Sequence, residues 1–283
     1  MTDALTIVGY AIRESVRKKM FLVVLLLTGG FIGLFWLGAH ELFDETGNIT
    51  PPAGVDARTL VGATTLGLGM FGTLFLGTVL AVFLTLSAVR GDAERGLLQP
   101  LVVRPLGRVT FLLARFAAAA AVSGAYVLTV YAATVAIVRI EGDWGPDRLV
   151  APGLELAVAV SLLAGLSLLG SVFLSATANG VAVFMVFGAG LVAGLLGQIG
   201  EALNSDTLRD IARDSSWILP FEALYQDGLH RLTVDTGGFT GFVLQLGPFG
   251  GAQGGGDRLF PWVAAYLALL AAVALAGFSR KDL

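Results

Sequence analysis

Long apolar segments separated by short polar ones set the pattern of the whole chain. The hydrocarbon core of a bilayer, about 30 Å thick, is crossed by a helix of roughly 20 apolar residues. The segments that reach this length are residues 20–39, 59–89, 109–138, 153–176, 181–200 and 259–279. They are continuous rather than alternating, which does not fit the strands of a membrane barrel. The pattern therefore predicts an all-α integral membrane fold with six transmembrane helices.

The fourth and fifth spans are parts of one apolar run that is too long for a single crossing. Small and polar residues at 175–180 interrupt this run, and the pair Asn179-Gly180 is a strong turn signal. We therefore predict that the two spans form a hairpin around these two residues. Pro152 opens the fourth span and Glu155 follows in its first turn, where we expect the helix dipole to stabilise the carboxylate.

Residues 1–19 combine a basic cluster with apolar positions at helical spacing. Leu5, Val8, Ile12 and Val16 fall on one face, which predicts an interfacial helix ahead of the first span. The alternative is a plain basic flank that only orients that span.

The segment before the last span, residues 201–258, is the longest one without a predicted crossing. Its apolar positions fall on both sides of Ser215-Ser216, which predicts two short helices lying on the membrane or dipping into it. The glycine-rich residues 237–256 are expected to form a loop.

Basic residues are divided unequally between the two sides of the predicted bundle. With the N-terminus inside, the inner segments hold 11 of the 18 Lys and Arg residues and have a net charge of +6. Because basic loops stay on the cytoplasmic side, we expect a multi-pass protein of the cell (inner) membrane with both termini cytoplasmic. In this orientation the two short helices lie in the outer leaflet.

Composition and motifs argue against chemistry carried by the chain itself. Only 14% of the residues are charged, and the net charge of −3 gives no support to nucleic-acid binding. There is no cysteine and no GxxxxGK[ST] motif, so we expect neither thiolate chemistry nor a P-loop. The GxGxxG match at residues 67–72 lies inside a span, where glycines serve helix packing, as Gly29 with Gly33 and Gly190 with Gly194 also would.

Candidate catalytic and metal-binding residues are lacking as well. His40 is followed by acidic residues, but with no second histidine at metal spacing we interpret this stretch as a solvated acidic loop. No nucleophile, base and acid can be grouped. We therefore expect a protein that is not an enzyme, with no catalytic residue, no metal and no cofactor bound by this chain.

The spans lack the acidic, histidine or lysine residues that ion-coupled transporters keep at membrane depth. A transporter of this kind would take its energy from a partner, and the partner needs a docking feature. Residues 90–108 mix charges with Leu97, Leu98, Leu101 and Val102. They predict a short amphipathic cytoplasmic helix that passes a partner's movement to the spans. The alternative is an ordinary basic loop.

The same segment resembles the ABC type-2 permease family, in which a pattern like E-x-G-T-L-x-x-L-L-x-x-P-x-x-R lies between spans two and three. The matching residues are Glu94, Gly96, Leu98, Leu101, Pro105 and Arg108. Leu97 replaces the usual threonine, and Pro100 is atypical and shortens or kinks the local helix. Residues 13–21, 216–225 and 278–283 resemble the family's elbow helix, its outer segment and its terminal F-x-R-R-D-L motif.

The resemblance implies a permease with an elbow helix at residues 1–19 and a coupling helix at 90–108. Its partners would be membrane lipid, a second permease copy and two ATPase subunits that bind ATP and Mg. The expected arrangement of the two permease copies is a homodimer. The interface with the ATPase subunits would include Glu94, Gly96, Leu98, Leu101, Arg104, Pro105 and Arg108. The translocation path would be lined by Met70, Phe71, Phe75, Phe184 and Phe187.

The implied function is export of a hydrophobic or amphipathic cargo by alternating access. An alternative is a subunit that transmits motion or serves the maturation of a metalloenzyme without moving cargo. Relatives of that kind usually carry a large folded outer domain, and residues 201–258 are short for one. A membrane-embedded enzyme, the third possibility, has no candidate catalytic set.

Overall fold

The computed structural model describes residues 19–48, 56–86, 108–146, 148–233 and 254–279. This part of the chain is helical and contains no strand, which confirms the predicted all-α fold. The helices are α1 (Lys19–Asp44), α2 (Ala57–Thr85), α3 (Arg108–Gly142), α4 (Val150–Phe173), α5 (Ala176–Ala202), α6 (Asp206–Ile218), α7 (Pro220–Thr233) and α8 (Leu259–Ser279), with a 3-10 turn at Glu45–Asn48.

Among these helices, α1 to α5 and α8 are long and apolar enough to cross a membrane. The chain is therefore a multi-pass membrane protein, as the hydrophobic pattern predicts. The last span has the predicted bounds, whereas α1 and α3 continue past their predicted ends into polar residues. Polar residues at the ends of a long helix lie among lipid headgroups or in water, where they do not oppose helix formation.

The spans alternate in direction, so the bundle has two different ends. At one end Phe111, near the start of α3, stacks on Phe278, near the end of α8, with ring centroids 6.2 Å apart. We call this the basic end, because the sequence segments that flank it carry most of the Lys and Arg residues. At the other, acidic end, Trp36 Nε1 of α1 donates a hydrogen bond to Glu141 Oε1 of α3 (2.7 Å).

The centre of the bundle is formed by α2 and α4, and α1 lies at its rim. Leu66, Leu74 and Leu156 have no solvent exposure. On α1, by contrast, Leu26 and Leu34 are largely exposed, as expected for side chains that face lipid in a membrane protein. This difference separates packing positions from lipid-facing ones, which hydropathy alone cannot do.

Two glycines of the GxGxxG match, Gly69 and Gly72, lie against aromatic rings from α1. A Cβ atom at Gly72 would lie 2.3 Å from the Phe31 ring, and one at Gly69 would lie 3.0 Å from the Phe35 ring. These distances leave no room for a side chain, so α1 approaches α2 closely only because glycine occupies both positions. The predicted packing role of this motif is confirmed.

The turn between α4 and α5 comes earlier than predicted, at Ser175. Its hydroxyl caps α5 by accepting a backbone N–H bond from three residues further on (3.4 Å). Asn179 lies inside α5 and is buried, where its Nδ2 donates to the carbonyls of Ser167 (2.8 Å) and Leu86 (3.4 Å). The predicted turn at Asn179-Gly180 is therefore wrong, because this amide is used to join three helices.

Several predicted features lie outside the described residues. These are most of the interfacial helix at 1–19, the coupling helix at 90–108 up to the start of α3 at Arg108, and most of the glycine-rich loop at 237–256. They stay predictions.

Candidate functional site

The two short helices before the last span form a hairpin that enters the bundle from the acidic end. The first of them, α6, begins beside the end of α5, where a Cβ atom at Gly200 would lie 3.0 Å from Leu208 Cβ. The second, α7, begins beside the middle of α5, where one at Gly190 would lie 2.4 Å from the Phe221 ring. The hairpin therefore dips into the bundle, and its turn falls between Ile218 and Pro220, later than the predicted Ser215-Ser216.

The two helices of the hairpin have different surfaces. None of the residues of α6 is buried, and its charges pair at the surface, as in the contact of Arg213 with Asp210 (2.7 Å). In α7, Phe221, Leu224 and Tyr225 are almost completely buried. The outer helix of the pair thus shields the inner one, and α7 packs against α4 and α5.

A buried ion cluster joins α7 to α4. Glu155 of α4 is 2% exposed, and its Oε1 lies 2.6 Å from Arg231 Nε, whose N–H is donated to Asp227 Oδ2 (3.0 Å). Arg231 Nη2 lies 2.9 Å from Asp227 Oδ2, and Asp227 Oδ1 accepts the backbone N–H of Gly255 (2.9 Å). The hydrogen bond to Asp227 raises the pKa of Arg231, so its guanidinium stays a cation between two carboxylates.

The predicted role of Glu155 needs correction. The helix begins at Val150, two residues before Pro152, and Glu155 is not in its first turn. The partner of its carboxylate is Arg231 rather than the helix dipole. The sequence could not reveal this pair, because the two residues are far apart in the chain and meet only through the hairpin.

A second buried carboxylate, Glu222, lies on the side of α7 that faces α5. It is 1% exposed. Its Oε1 accepts a hydrogen bond from Gln226 Nε2 (3.1 Å), and its Oε2 has no hydrogen-bond partner. A Cβ atom at Gly194 would lie 2.3 Å from Glu222 Oε1, so the carboxyl occupies the space that this glycine leaves open. The packing role predicted for Gly190 and Gly194 is confirmed, whereas a Cβ atom at Gly29 or Gly33 would meet nothing within 4 Å, so the packing predicted there is not found in the described part of the chain.

Glu222 overturns the expectation that the bundle has no acidic side chain at depth. The six spans themselves are poor in charge, as predicted, but a helix that is not a span carries Glu222 to the middle of α5. One signal was available in the sequence. Pro220 starts a helix, and Phe221, Leu224, Tyr225 and Leu232 then recur at helical spacing, which indicates a buried face.

A cavity of about 250 Å³ opens between α6, α7 and the start of α8; Gln226, the partner of Glu222, is in its wall, and Glu222 is not. Its walls include Arg213, Ser216, Trp217, Gln226 and Trp262. Trp262 Nε1 donates to the Trp217 carbonyl (2.8 Å), which fixes α8 to the turn of the hairpin. Because Gln226 both lines the cavity and bonds to Glu222, it separates the carboxyl from the cavity.

The residues predicted to line a translocation path fall into two groups. Met70 is fully buried in the core, near Gly228 of α7. Phe75 is 42% exposed, and its ring lies 6.2 Å from that of Phe187, which in turn stacks on Phe221 at 5.8 Å. The structure thus brings Phe75 and Phe187 together and adds Phe221, which sequence reasoning missed.

Phe71 and Phe184 are half-buried and pack against the core. Of the predicted ATPase interface, only Arg108 is described, as the first residue of α3. The other interface residues, from Glu94 to Pro105, lie outside the described ranges.

His40 lies in the last two turns of α1, not in a loop as predicted. Its Nδ1 is 2.9 Å from Glu141 Oε2, and its Nε2 is 3.6 Å from Asp44 Oδ2. Among the described residues, no group of three or more His, Cys, Asp or Glu side chains is arranged to hold a metal ion. These contacts form a polar link between α1 and α3 at the surface of the bundle.

No protein-family model matches this chain, and no curated protein matches it.

Proposed function

We propose that this chain is the membrane subunit of an ATP-driven exporter of the ABC type, which pairs with a second copy and with two separate ATPase subunits. The observation that carries the proposal is where the family-like pattern from Glu94 to Arg108 falls. It connects α2 to α3, two helices that pack closely against each other in the bundle. A partner that moved this connection would therefore move both helices together.

Contacts at the basic end support the transfer of such a movement. Leu86 follows α2 directly and leads into the family-like segment. Its carbonyl accepts a hydrogen bond from Asn179 of α5, and the same amide binds the Ser167 carbonyl of α4. A displacement at the end of α2 would therefore reach the turn between α4 and α5 without crossing a loop.

The aromatic surface of α2 and α5 supports a hydrophobic or amphipathic cargo. Phe75 is exposed to the surroundings of the bundle, and Phe187 lies behind it. In a dimer, this face would meet its symmetry mate, so that alternating access would open and close an apolar path between two copies. The basic end would face the cytoplasm, where ATP is available, in the cell (inner) membrane.

The first test is isolation of the tagged chain from its native membranes in mild detergent, with mass spectrometry of the proteins that accompany it. We expect a P-loop ATPase in stoichiometric amount. Glu94→Lys should reduce its recovery at least tenfold, because this residue is predicted to face the ATPase. Asp92→Lys is the matched control: it makes the same charge change in the same segment, outside the pattern, and should leave recovery unchanged.

Two results would contradict the proposal. Absence of any ATPase, under conditions that preserve known complexes of this type, would remove the partner. If the ATPase is present but the complex moves no lipid or drug across sealed vesicles on addition of ATP, the partner is right and export is wrong. The chain would then be a subunit that transmits motion.

A further inference from the structure

The two buried glutamates of the α7 region differ in what surrounds them. Glu155 has Arg231 at 2.6 Å. Glu222 has only the amide of Gln226. In both residues the second oxygen, Oε2, has no hydrogen-bond partner, so the difference between them is the cation. Within the described residues, no Lys, Arg or His forms an ion pair with Glu222. A buried carboxylate without a cation is strongly disfavoured relative to the neutral acid.

The ionisable groups on the elements around Glu222 do not supply the missing charge. They are Arg58 of α2, Glu155 of α4, Glu201 of α5, Asp206, Arg209, Asp210, Arg213 and Asp214 of α6, Tyr225, Asp227, His230 and Arg231 of α7, and Tyr266 of α8. The arginines of α6 and α7 are paired with carboxylates other than Glu222, Arg58 is exposed at the start of α2, and His230 lies against Gly254. From α5, Gly190, Gly194 and the ring of Phe187 contact this part of α7. Burial raises the pKa of Glu222 to about 8.

Glu222 also has a short route to water. Gln226 is the next residue on the same face of α7, four positions further on, and it stands in the wall of the cavity between α6, α7 and α8. Polar groups line that cavity on the side of α6, including Arg213 and Ser216. A cavity of this size with several polar groups has room for water. A movement of one amide side chain would connect the carboxyl to it.

From this geometry we infer that Glu222 is a proton-binding site that exchanges its proton with the aqueous phase at the acidic end, through the cavity beside Gln226. When the amide of Gln226 moves aside, the carboxylic acid releases one proton to water in the cavity and becomes a carboxylate. When the hairpin closes again, one proton returns. No other bond is formed or broken.

The exchange is tied to the position of the hairpin. With α7 packed on α5, the carboxyl is enclosed and neutral. With the hairpin displaced, it is hydrated, and its pKa returns toward the ordinary value of 4.5. Between these two values, a rise in pH therefore favours the displaced arrangement over the packed one. The site makes the α6–α7 hairpin sensitive to pH on one side of the membrane.

The test is infrared spectroscopy of the purified full chain in lipid nanodiscs, which follows the carbonyl stretch of protonated carboxylic acids. We expect such a band at pH 6, with half of its intensity lost near pH 8. Glu222→Gln should remove the contribution of this carboxyl to the band, and the variant should fold because glutamine matches the neutral acid in shape. The matched control repeats the substitution in a Glu155→Gln background, where the loss of intensity on Glu222→Gln should be the same, so that any signal from the second buried carboxyl is separated.

Transfer to deuterated water tests the exchange itself. The band should shift within minutes, and Gln226→Leu, which replaces the amide at the cavity wall by an apolar group, should slow that shift at least tenfold. A spectrum at pH 6 with no band that depends on Glu222 would overturn the inference, because the carboxyl would then be ionised. A band that never shifts in deuterated water would overturn it too. Either result leaves the proposed ATPase partnership intact, since the measurement needs no partner.

Discussion

The two ends of the bundle are held together by different chemistry. At the basic end, the buried polar contacts are made by neutral groups, such as Asn179 to the Ser167 carbonyl and Thr85 to the Ala81 carbonyl. At the acidic end, α7 carries charged or titratable groups into the bundle, where Glu155 meets Arg231 and Glu222 stays without a cation.

This difference shows that two equally buried side chains can have different partners. Glu155 and Glu222 are about equally buried, at 2% and 1% exposure, but only the first has a cation within reach. The neutral contacts at the basic end contain no titratable group, whereas the acidic end holds buried carboxyls. We therefore expect only the acidic end to respond to pH.

Removal of the cation from the acidic end should have the largest effect. Arg231→Met leaves Glu155 and Asp227 as neighbouring carboxylates without compensation. We expect a loss of about 3 kcal/mol in the free energy of unfolding, at the low end for a broken buried pair because Arg231 keeps a third of its surface exposed. Denaturant unfolding of the full chain in micelles measures it.

Arg213→Met is the control for that prediction. Arg213 also pairs with an aspartate, but its side chain is 65% exposed, so the change should cost less than about 0.5 kcal/mol. Equal losses in the two variants would mean that the cluster at Glu155 is no stronger than a surface pair.

Filling the space at Gly190 of α5, where the Phe221 ring of α7 lies, should have the next largest effect. In Gly190→Ala the new methyl group would lie 2.4 Å from the Phe221 ring, and α7 must shift away at a cost of about 2 kcal/mol. Gly188→Ala tests the same change two residues away, where nothing lies within 4 Å. That control should stabilise α5 by about 0.5–1 kcal/mol. If both variants behave alike, α7 does not rest on Gly190.

The pH dependence at Glu222 comes third. Because burial raises the pKa of Glu222 to about 8 from 4.5, its stabilising contribution is complete below the lower value and is lost as pH rises toward the higher one. Between pH 6 and pH 7 the wild-type chain should lose about 1.4 kcal/mol relative to Glu222→Gln. Thermal unfolding at the two pH values, with both chains side by side, gives the difference; parallel behaviour would refute it.

The smallest effect is expected at the basic end. Asn179→Leu removes two hydrogen bonds to carbonyls that lie at the ends of α2 and within α4, and it also removes a buried Oδ1 that has no partner. These terms largely offset each other, so we expect a loss of about 1 kcal/mol, with no change between pH 6 and pH 8. A pH-dependent loss in this variant would break the distinction between the two ends.

The spans could be predicted from the sequence because hydropathy is a local property. Six continuous apolar segments lead directly to six helices, and the bounds of α8 are those predicted. The positions of the glycines in residues 67–72 and at Gly190 also indicated close packing correctly. Gly29 and Gly33 did not, because a Cβ atom there would meet nothing within 4 Å.

The site could not be predicted in the same way, because it depends on pairings between distant segments. No sequence pattern around Glu155 predicts its contact with Arg231, and none around Gly194 predicts its contact with Glu222. The turn predicted at Asn179 was wrong for a related reason. An asparagine amide favours turns, but it also binds backbone carbonyls of neighbouring helices. The coupling helix from Glu94 to Arg108 and its interface with the ATPase, which rest on a family resemblance, are still predictions.

The re-entrant hairpin also constrains the order in which the protein is made. The amphipathic helix α6 carries charges along one face, and together with α7 it is too polar to enter lipid alone. The surface on which α7 packs exists only when α4 and α5 are next to each other and Gly190 and Gly194 are accessible. We therefore expect the spans to be inserted first and this segment to fold into them afterwards, so that the acidic end is assembled last.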